Sequence, residues 1–152
     1  MIGDYVQIES QEGVVSRIEI LFTVLQTFDH QEIIVPNSTA VSEILINYSK
    51  EKYRRIHISF PVALETDVDA CIQLGNQVLE SEAEWVQNNM QKEVVIDKIG
   101  DHSMTIGIYA FVPFEKYWEC LCRMNTVLQK KRKEAGILPA STSIVIQSSP
   151  EQ

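Results

Sequence analysis

The chain has 152 residues, of which 45% are hydrophobic, a share that is typical of a folded protein and argues against disorder. Its 21 acidic and 13 basic side chains give a net charge of −8, which argues against nucleic acid as a partner because phosphate neutralisation needs a basic face. No apolar run approaches the roughly 18–20 residues of a membrane-spanning helix, and no signal-peptide pattern is visible, so we expect this stretch to be soluble.

The first fifty residues predict five short strands. Tyr5–Glu9 alternates, with Val6 and Ile8 on one face, which is typical of a half-buried strand. In the second strand, Val14, Ile18 and Ile20 are predicted to share a face. The predicted strands after the first are Val14–Ile20, Thr23–Thr27, Glu32–Val35 and Ile44–Tyr48. Hairpin spacing over residues 1–50 predicts a small, strongly bent β-barrel near the lower size limit for independent stability.

A turn separates the fourth predicted strand from the fifth. Pro36 lacks a backbone donor and has a fixed φ, so it ends the fourth strand. Asn37 and Ser38 then turn the chain and can cap a single helical turn over Thr39–Glu43.

Residues 51–139 predict an α+β domain, and residues 140–152 a last strand and tail. The predicted elements are a strand over Arg55–Phe60 that Pro61 ends, a helix that Thr66 caps, strands over Glu93–Ile99 and Met104–Val112, a helix over Phe114–Ala135 with Gly136 as its C-cap, and a strand over Ser143–Ile146. Gly75 marks a place where the first of these helices approaches a neighbour closely. This order is the split βαβ, or ferredoxin-like, pattern, so the fold class is mixed β and α+β.

The chain shows no set of side chains for catalysis, for a cofactor or for a metal. His30, His57 and His102 lie on different elements without ligand spacing, and we interpret them as turn and surface residues. Asp67 and Asp69 are explained by the positive end of a helix dipole.

The cysteines and the basic run also favour structural roles. Cys71, Cys120 and Cys122 are an odd number without C-x-x-C spacing, which argues against a disulfide framework and favours a reducing cytoplasmic setting. The run Lys130–Lys133 ends a helix, where cations meet the negative end of the dipole, and is interpreted as a solvated end.

A series of short motifs follows in a fixed order along nearly the whole chain. They are Gly3–Val6, Gly13–Val15, Thr27 with Asp29, Ile34–Ser38, Ile46–Ser49, Arg54–Arg55, Asp67, Ile99–Ser103, Tyr117–Trp118 and Glu134–Ile137. As an ordered set they resemble the signature of the small-conductance mechanosensitive channel (MscS) family. Three places depart from the pattern: Gly is common where Ser38 stands, Gly or Asn is common where His30 stands, and Ala140-Ser141 replaces a more Pro-rich segment.

The resemblance implies an Sm-like β domain over residues 1–50 and a ferredoxin-like domain over residues 51–139. It implies a homo-heptamer whose hollow cytoplasmic vestibule, or cage, lies below a pore in the inner membrane. Lateral portals lie between the two domains, and the final strands of the subunits close a narrow barrel. The implied partners are further copies of the chain, permeating ions and small solutes, and the membrane, through transmembrane helices that this stretch lacks. Neither an enzymatic activity nor a cofactor is implied.

The resemblance assigns three sets of site residues. A turn that docks under the pore-lining helix consists of Pro36, Asn37 and Ser38. A portal rim at the domain joint consists of Asn47, Lys50, Glu51, Lys52, Arg54 and Arg55, for which a solvated charged linker is the alternative interpretation. The strand of the C-terminal barrel contains Ser143, Ile144, Val145 and Ile146.

Two alternatives without channel function remain open at this point. An Sm-like ring that binds RNA is one, although residues 1–52 carry 8 acidic against 3 basic side chains. A ligand-sensing or acyl-phosphate enzyme domain is the other, with Arg55 as an anion clamp, although no Gly-rich loop accompanies it.

Overall fold

The computed structural model describes residues 1–139. The chain divides into two compact units, the first ending at Arg54 and the second beginning at Arg55, whereas the sequence placed the boundary after residue 50. The predicted fold class is confirmed, because an antiparallel β unit is followed by an α+β unit.

The first unit is a single five-stranded sheet. Its elements are β1 (Tyr5–Ile8), β2 (Gln11–Ile18), β3 (Phe22–Gln26), β4 (Glu32–Pro36), the short helix α1 (Asn37–Ser42) and β5 (Leu45–Asn47). The strands lie in the order β4-β3-β2-β1-β5. The main core cluster consists of Val6, Ile8, Val15, Leu25 and Val35, each at most 7% exposed, and Val24 is buried outside this cluster. In the β3–β4 turn, His30 has a φ of 59°, the left-handed conformation that Gly and Asn adopt most readily.

The alternation of β2 differs from the prediction. The pairing of β2 with β3 shifts between Val15 and Arg17, so a bulge resets which side chains face the core. Val15 is buried, whereas Ile18 near the end of β2 is 53% exposed and Ile20, which lies beyond the end of β2, is 93% exposed. The predicted common face of Val14, Ile18 and Ile20 is therefore wrong.

The second unit packs two long helices on a three-stranded sheet. Its elements are β6 (Tyr53–Ala63, which begins within the first unit), α2 (Val68–Ser81), β7 (Glu93–Ile99), β8 (Ser103–Pro113), a 3-10 turn (Phe114–Lys116) and α3 (Tyr117–Ala135). The strands lie in the order β6-β8-β7. The predicted strand Ser143–Ile146 lies outside the described residues.

The central strand and Gly75 show why this unit packs densely. Every second residue of β8, from Met104 to Val112, is at most 4% exposed, as the alternation predicts. A Cβ on Gly75 would lie 2.5 Å from Cγ1 of Val94, so only glycine lets α2 approach β7 this closely. The predicted close approach at Gly75 is confirmed.

Two predicted boundaries around the first helix are wrong. β6 continues through Pro61 to Ala63, because β6 is an edge strand among the described strands and a proline there breaks no interior ladder. The N-cap of α2 is Asp67 instead of Thr66, and its carboxylate accepts a hydrogen bond from the backbone N–H of Asp69 at 3.0 Å.

The end of α3 is only partly the solvated end that was predicted. Gly136 is the C-cap with a φ of 68°, as predicted. Arg132, however, is only 9% exposed and lies with its guanidinium 5.1 Å from the ring centre of Phe60. It donates from Nε to the carbonyl of Ile137 at 3.2 Å and from Nη2 to that of Pro61 at 2.9 Å. Burial lowers the pKa of Arg132.

Candidate functional site

Asn37 is the centre of the predicted docking turn. Its side-chain nitrogen donates to the carbonyls of Glu19 and Ile20 at 2.9 and 3.0 Å, and its Oδ1 accepts from the hydroxyl of Thr23 at 2.8 Å. Its backbone N–H donates to the carbonyl of Leu21 at 2.9 Å. The predicted capping role is wrong, because the cap of α1 is Pro36, without a side-chain hydrogen bond.

These four hydrogen bonds brace the turn between β2 and β3, which carries two large apolar side chains at its end. We call Ile20 and Leu21 the apolar tip; they are 93% and 77% exposed. Exposed apolar side chains on a fixed backbone are a feature of interaction surfaces. The structure thus joins the predicted turn to an exposed tip, whereas the sequence predicts Ile20 as the last residue of the second strand. The adjacent large aliphatic residues Ile20 and Leu21 at the end of that strand are the sequence signal of the tip.

The neighbouring residues of the docking turn are open to solvent. Pro36 and Ser38 are exposed, and no residue of α1 is buried. Val41 is 85% exposed and Ile44, just after α1, is 82% exposed. This part of the first unit therefore presents further apolar surface.

The predicted portal rim begins with an ordered turn at Asn47. Its Oδ1 accepts hydrogen bonds from the backbone N–H groups of Ser49 and Lys50, both at 3.1 Å. Its Nδ2 donates to the carboxylate of Asp4 at 2.8 Å. This Asx turn fixes the path of the chain as it leaves β5.

A row of aromatic rings lies beside this turn. The ring of Tyr5 lies between those of Phe28 and Tyr48, with both centroid distances 5.5 Å, and the guanidinium of Arg54 lies 4.5 Å from the centroid of Tyr48. Burial, aided by a hydrogen bond to Glu12, raises the pKa of Tyr5 to about 12. The sequence predicts Arg54 as a rim residue but does not indicate its contact with the ring of Tyr48.

The rim residues on the connector and β6 separate into two groups. Lys50, Glu51 and Lys52 are exposed. Arg54 and Arg55 are adjacent on a strand, so their side chains point to opposite faces. Arg54 stacks on Tyr48 of the first unit and Arg55 lies 5.1 Å from the ring centroid of Tyr109 in the second. Within the predicted rim, Arg54 and Arg55 therefore have different aromatic partners, each in its own unit.

Within residues 1–139, no helix is long and apolar enough to cross a membrane. The same residues contain no group of three or more His, Cys, Asp or Glu side chains arranged to hold a metal ion. The four residues of the predicted barrel strand, Ser143 to Ile146, lie outside this range.

Comparison with known protein families gives two matches. Residues 1–50 match the model of the mechanosensitive ion channel β-domain. Residues 56–137 match the model of the C-terminal region of the mechanosensitive ion channel MscS.

Individual relatives agree with these matches. An uncharacterised MscS family protein of Buchnera aphidicola from Schizaphis graminum is 29% identical over 132 residues, 84% of this chain and 46% of the relative. The small-conductance mechanosensitive channel MscMJ of Methanocaldococcus jannaschii is 24% identical over 143 residues, 90% of this chain and 40% of the relative. The chain thus spans less than half the length of both.

A solved structure shares the fold. The crystal structure of Helicobacter pylori MscS in its closed state superposes with a TM-score of 0.79 at 21% identity. The match covers 98% of this chain and 60% of that one.

Proposed function

The chain belongs to the MscS family of mechanosensitive ion channels, and we propose that it forms the cytoplasmic cage of a channel subunit, which supports assembly, gating and solute filtering during release of osmotic pressure. The family is one of channels and not of enzymes. The observation that carries the proposal is the apolar tip braced by Asn37.

The apolar tip needs a partner surface. Burying a large aliphatic side chain stabilises a contact by about 1.5–3 kcal/mol. Ile20 and Leu21 are exposed, so a partner surface that covers them would gain this free energy from each. We propose that the tip contacts the pore-lining helix in the full-length protein. We call Pro36, Asn37 and Ser38 the joint, because they connect the tip to the rest of the first unit. Movement of the tip is transmitted through the side chain of Asn37.

The remaining assignments complete this proposal. Asn47, Lys50, Glu51, Lys52, Arg54 and Arg55 line the portals and influence which ions and small solutes pass. Subunits assemble as a homo-heptamer in the inner membrane with this region in the cytoplasm, and Ser143, Ile144, Val145 and Ile146 supply the barrel strand. The charged, exposed connector supports the portal role, and the exposed apolar surface of the first unit supports self-association.

Patch-clamp recording of the full-length channel tests the joint. Asn37→Ala removes three of the four hydrogen bonds that brace the tip, so we expect a shifted tension threshold or altered closure. Asn125→Ala, at an exposed position on α3, is the matched control and should gate as the parent does. Unchanged gating in Asn37→Ala, with normal amounts of channel in the membrane, would overturn the proposed joint.

Ion selectivity tests the portal rim separately. Reversing the charge of Lys50 and Lys52 together should change the relative permeability to anions and cations, because both side chains are exposed. Reversing Lys130, which is exposed on α3, controls for net charge. Unchanged selectivity and solute permeation after the double reversal would remove these lysines from the portal assignment.

A further inference from the structure

His57, which the sequence suggested to be an ordinary surface residue, belongs to a connected polar cluster. Its Nε2 lies 2.9 Å from Oδ2 of Asp97, and its ring stacks on that of Tyr109 at 4.4 Å with an interplanar angle of 5°. The hydroxyl of Tyr109 donates to Oδ1 of the same carboxylate at 2.7 Å. We call these three residues the clasp.

The clasp joins two strands that are not neighbours. β6 carries His57 and β7 carries Asp97, and β8 lies between them. Adjacent strands are about 4.8 Å apart, so the contact crosses roughly 10 Å of sheet surface. It ties both outer strands to each other and, through Tyr109, to the middle strand.

Two features of the backbone make this crossing possible. The pairing of β7 with β8 shifts between Ile96 and Lys98, so Asp97 lies in an irregular position that redirects its side chain. Below the carboxylate lies Gly107, where a Cβ would be only 2.1 Å from Oδ2 of Asp97. A glycine in the middle strand thus leaves the space that the carboxylate fills.

The clasp pairs a histidine with a carboxylate, so its strength depends on the charges of these two groups. Histidine is the side chain that ordinarily titrates between pH 5 and 8. The hydrogen bond from Tyr109, followed by the interaction with His57, holds the pKa of Asp97 below its usual range, so the carboxylate stays charged throughout that interval. The other charged groups facing the clasp are Arg55, next to Tyr109 on the β6 side, and Glu93, which pairs with Tyr109 from β7.

We propose that the clasp responds to pH and holds β7 to the sheet more tightly when His57 carries a second proton. In the neutral ring, Nε2–H donates a hydrogen bond to the charged carboxylate, and only the acceptor carries a charge. Protonation at Nδ1 adds the attraction between two opposite charges to the same contact. Acidification from pH 8 to pH 5.5 therefore makes local opening of β7 rarer.

Hydrogen exchange of the 152-residue chain tests the pH response of the clasp. Exchange rates of β7 amides are measured at pH 8.0 and 5.5 and divided by the intrinsic rates at each pH, with amides of β1 as the internal reference. Exposed ion pairs contribute modestly to the equilibrium between closed and locally opened states. We therefore expect openings of β7 to be about twofold to fivefold rarer at pH 5.5. Equal protection at the two pH values would overturn the proposal.

Three variants identify the groups responsible. His57→Gln and Asp97→Asn both keep a polar side chain and should abolish the pH effect on β7. His102→Gln removes an exposed imidazole from the β7–β8 turn and should leave the effect intact. An undiminished effect in His57→Gln, or its loss in His102→Gln, contradicts the assignment.

A spectroscopic measurement on the unaltered chain is independent of how the variants fold. Long-range proton–nitrogen correlation spectra distinguish the two ring nitrogens of histidine. At pH 8 we expect the proton of His57 on Nε2, because that nitrogen faces Asp97. A neutral ring protonated at Nδ1 would contradict the clasp.

Discussion

The two units bury their apolar side chains to very different extents. The main cluster of buried hydrophobic residues has five members in the first unit and eighteen in the described part of the second. Eleven large hydrophobic side chains are exposed in the first unit, against five in the described part of the second. The second unit thus has the larger buried core, while the first leaves more of its large apolar side chains exposed.

Core truncation in the second unit gives the largest expected effect. Phe60 is 2% exposed, and Phe60→Ala should lower the free energy of unfolding by about 3–5 kcal/mol through the cavity it leaves. Both tryptophans, Trp85 and Trp118, lie in this unit, so fluorescence during urea unfolding reports it. Phe28→Ala, at an 82% exposed site in the first unit, should leave this transition in place. Similar shifts for both variants would contradict the contrast between the units.

Removal of the buried guanidinium should have the next largest effect. Arg132→Ala leaves the carbonyls of Pro61 and Ile137 without their donor, and hydrogen bonds to charged groups contribute about 1.5–3 kcal/mol. The same fluorescence experiment measures the loss. Lys130→Ala, two positions away and exposed, should change stability by less than about 0.5 kcal/mol. If the two substitutions changed stability equally, Arg132 would be a solvated residue of the run Lys130–Lys133, as the sequence predicted.

A glycine in each unit tests the packing of that unit separately. Gly75→Ala places a Cβ 2.5 Å from Val94, and Gly13→Ala places one 2.8 Å from the carbonyl oxygen of Gln26. Each should cost about 1–3 kcal/mol through overpacking. We expect Gly75→Ala alone to shift the tryptophan-detected transition, and Gly13→Ala to increase hydrogen exchange in β2 and β3. If Gly75→Ala leaves the transition unchanged, the close approach of α2 to β7 is not required.

The smallest expected effects come from pH, with opposite signs in the two units. Tyr5 ionises near pH 10 in an unfolded chain and has a pKa of about 12 in the folded one, so the first unit loses stability as the pH rises through this interval. The pKa of Asp97 is lowered, so its contribution to the second unit is lost as the pH falls below about 4.

The pH dependence of the urea unfolding midpoint, followed by circular dichroism, measures both losses of stability. Tyr5→Phe should reduce the loss at high pH, and Asp97→Asn the loss at low pH. Both effects should be small, because Asp97 is exposed and Tyr5 is only partly buried, so solvent screens their interactions. A Tyr5→Phe midpoint that falls as steeply as that of the parent above pH 10 would assign the alkaline loss to other groups.

The features that the sequence predicted correctly are local ones. Alternation marked the buried face of β8, and a glycine after an amphipathic run marked the end of α3, because both signals depend on residues a few positions apart. The bulge in β2 depends on pairing with β3, which alternation within one strand does not contain.

The features that it missed depend on distant partners. Asn37 looked like a cap because asparagine often is one, but its partners are seventeen and eighteen residues earlier in the chain. Arg132 contacts a carbonyl seventy-one residues away, and the partner of His57 is forty residues away. In each case a polar side chain finds its hydrogen-bonding groups only after the strands have been assembled.

The side chain of Asn37 also determines how the joint tolerates substitution. Aspartate has almost the same shape as asparagine, yet it would place a negatively charged oxygen where a nitrogen now donates to two carbonyl oxygens. Attraction toward Glu19 and Ile20 would become repulsion without any change in volume. At this position, therefore, the replacement closest in shape is among the least compatible with the braced tip.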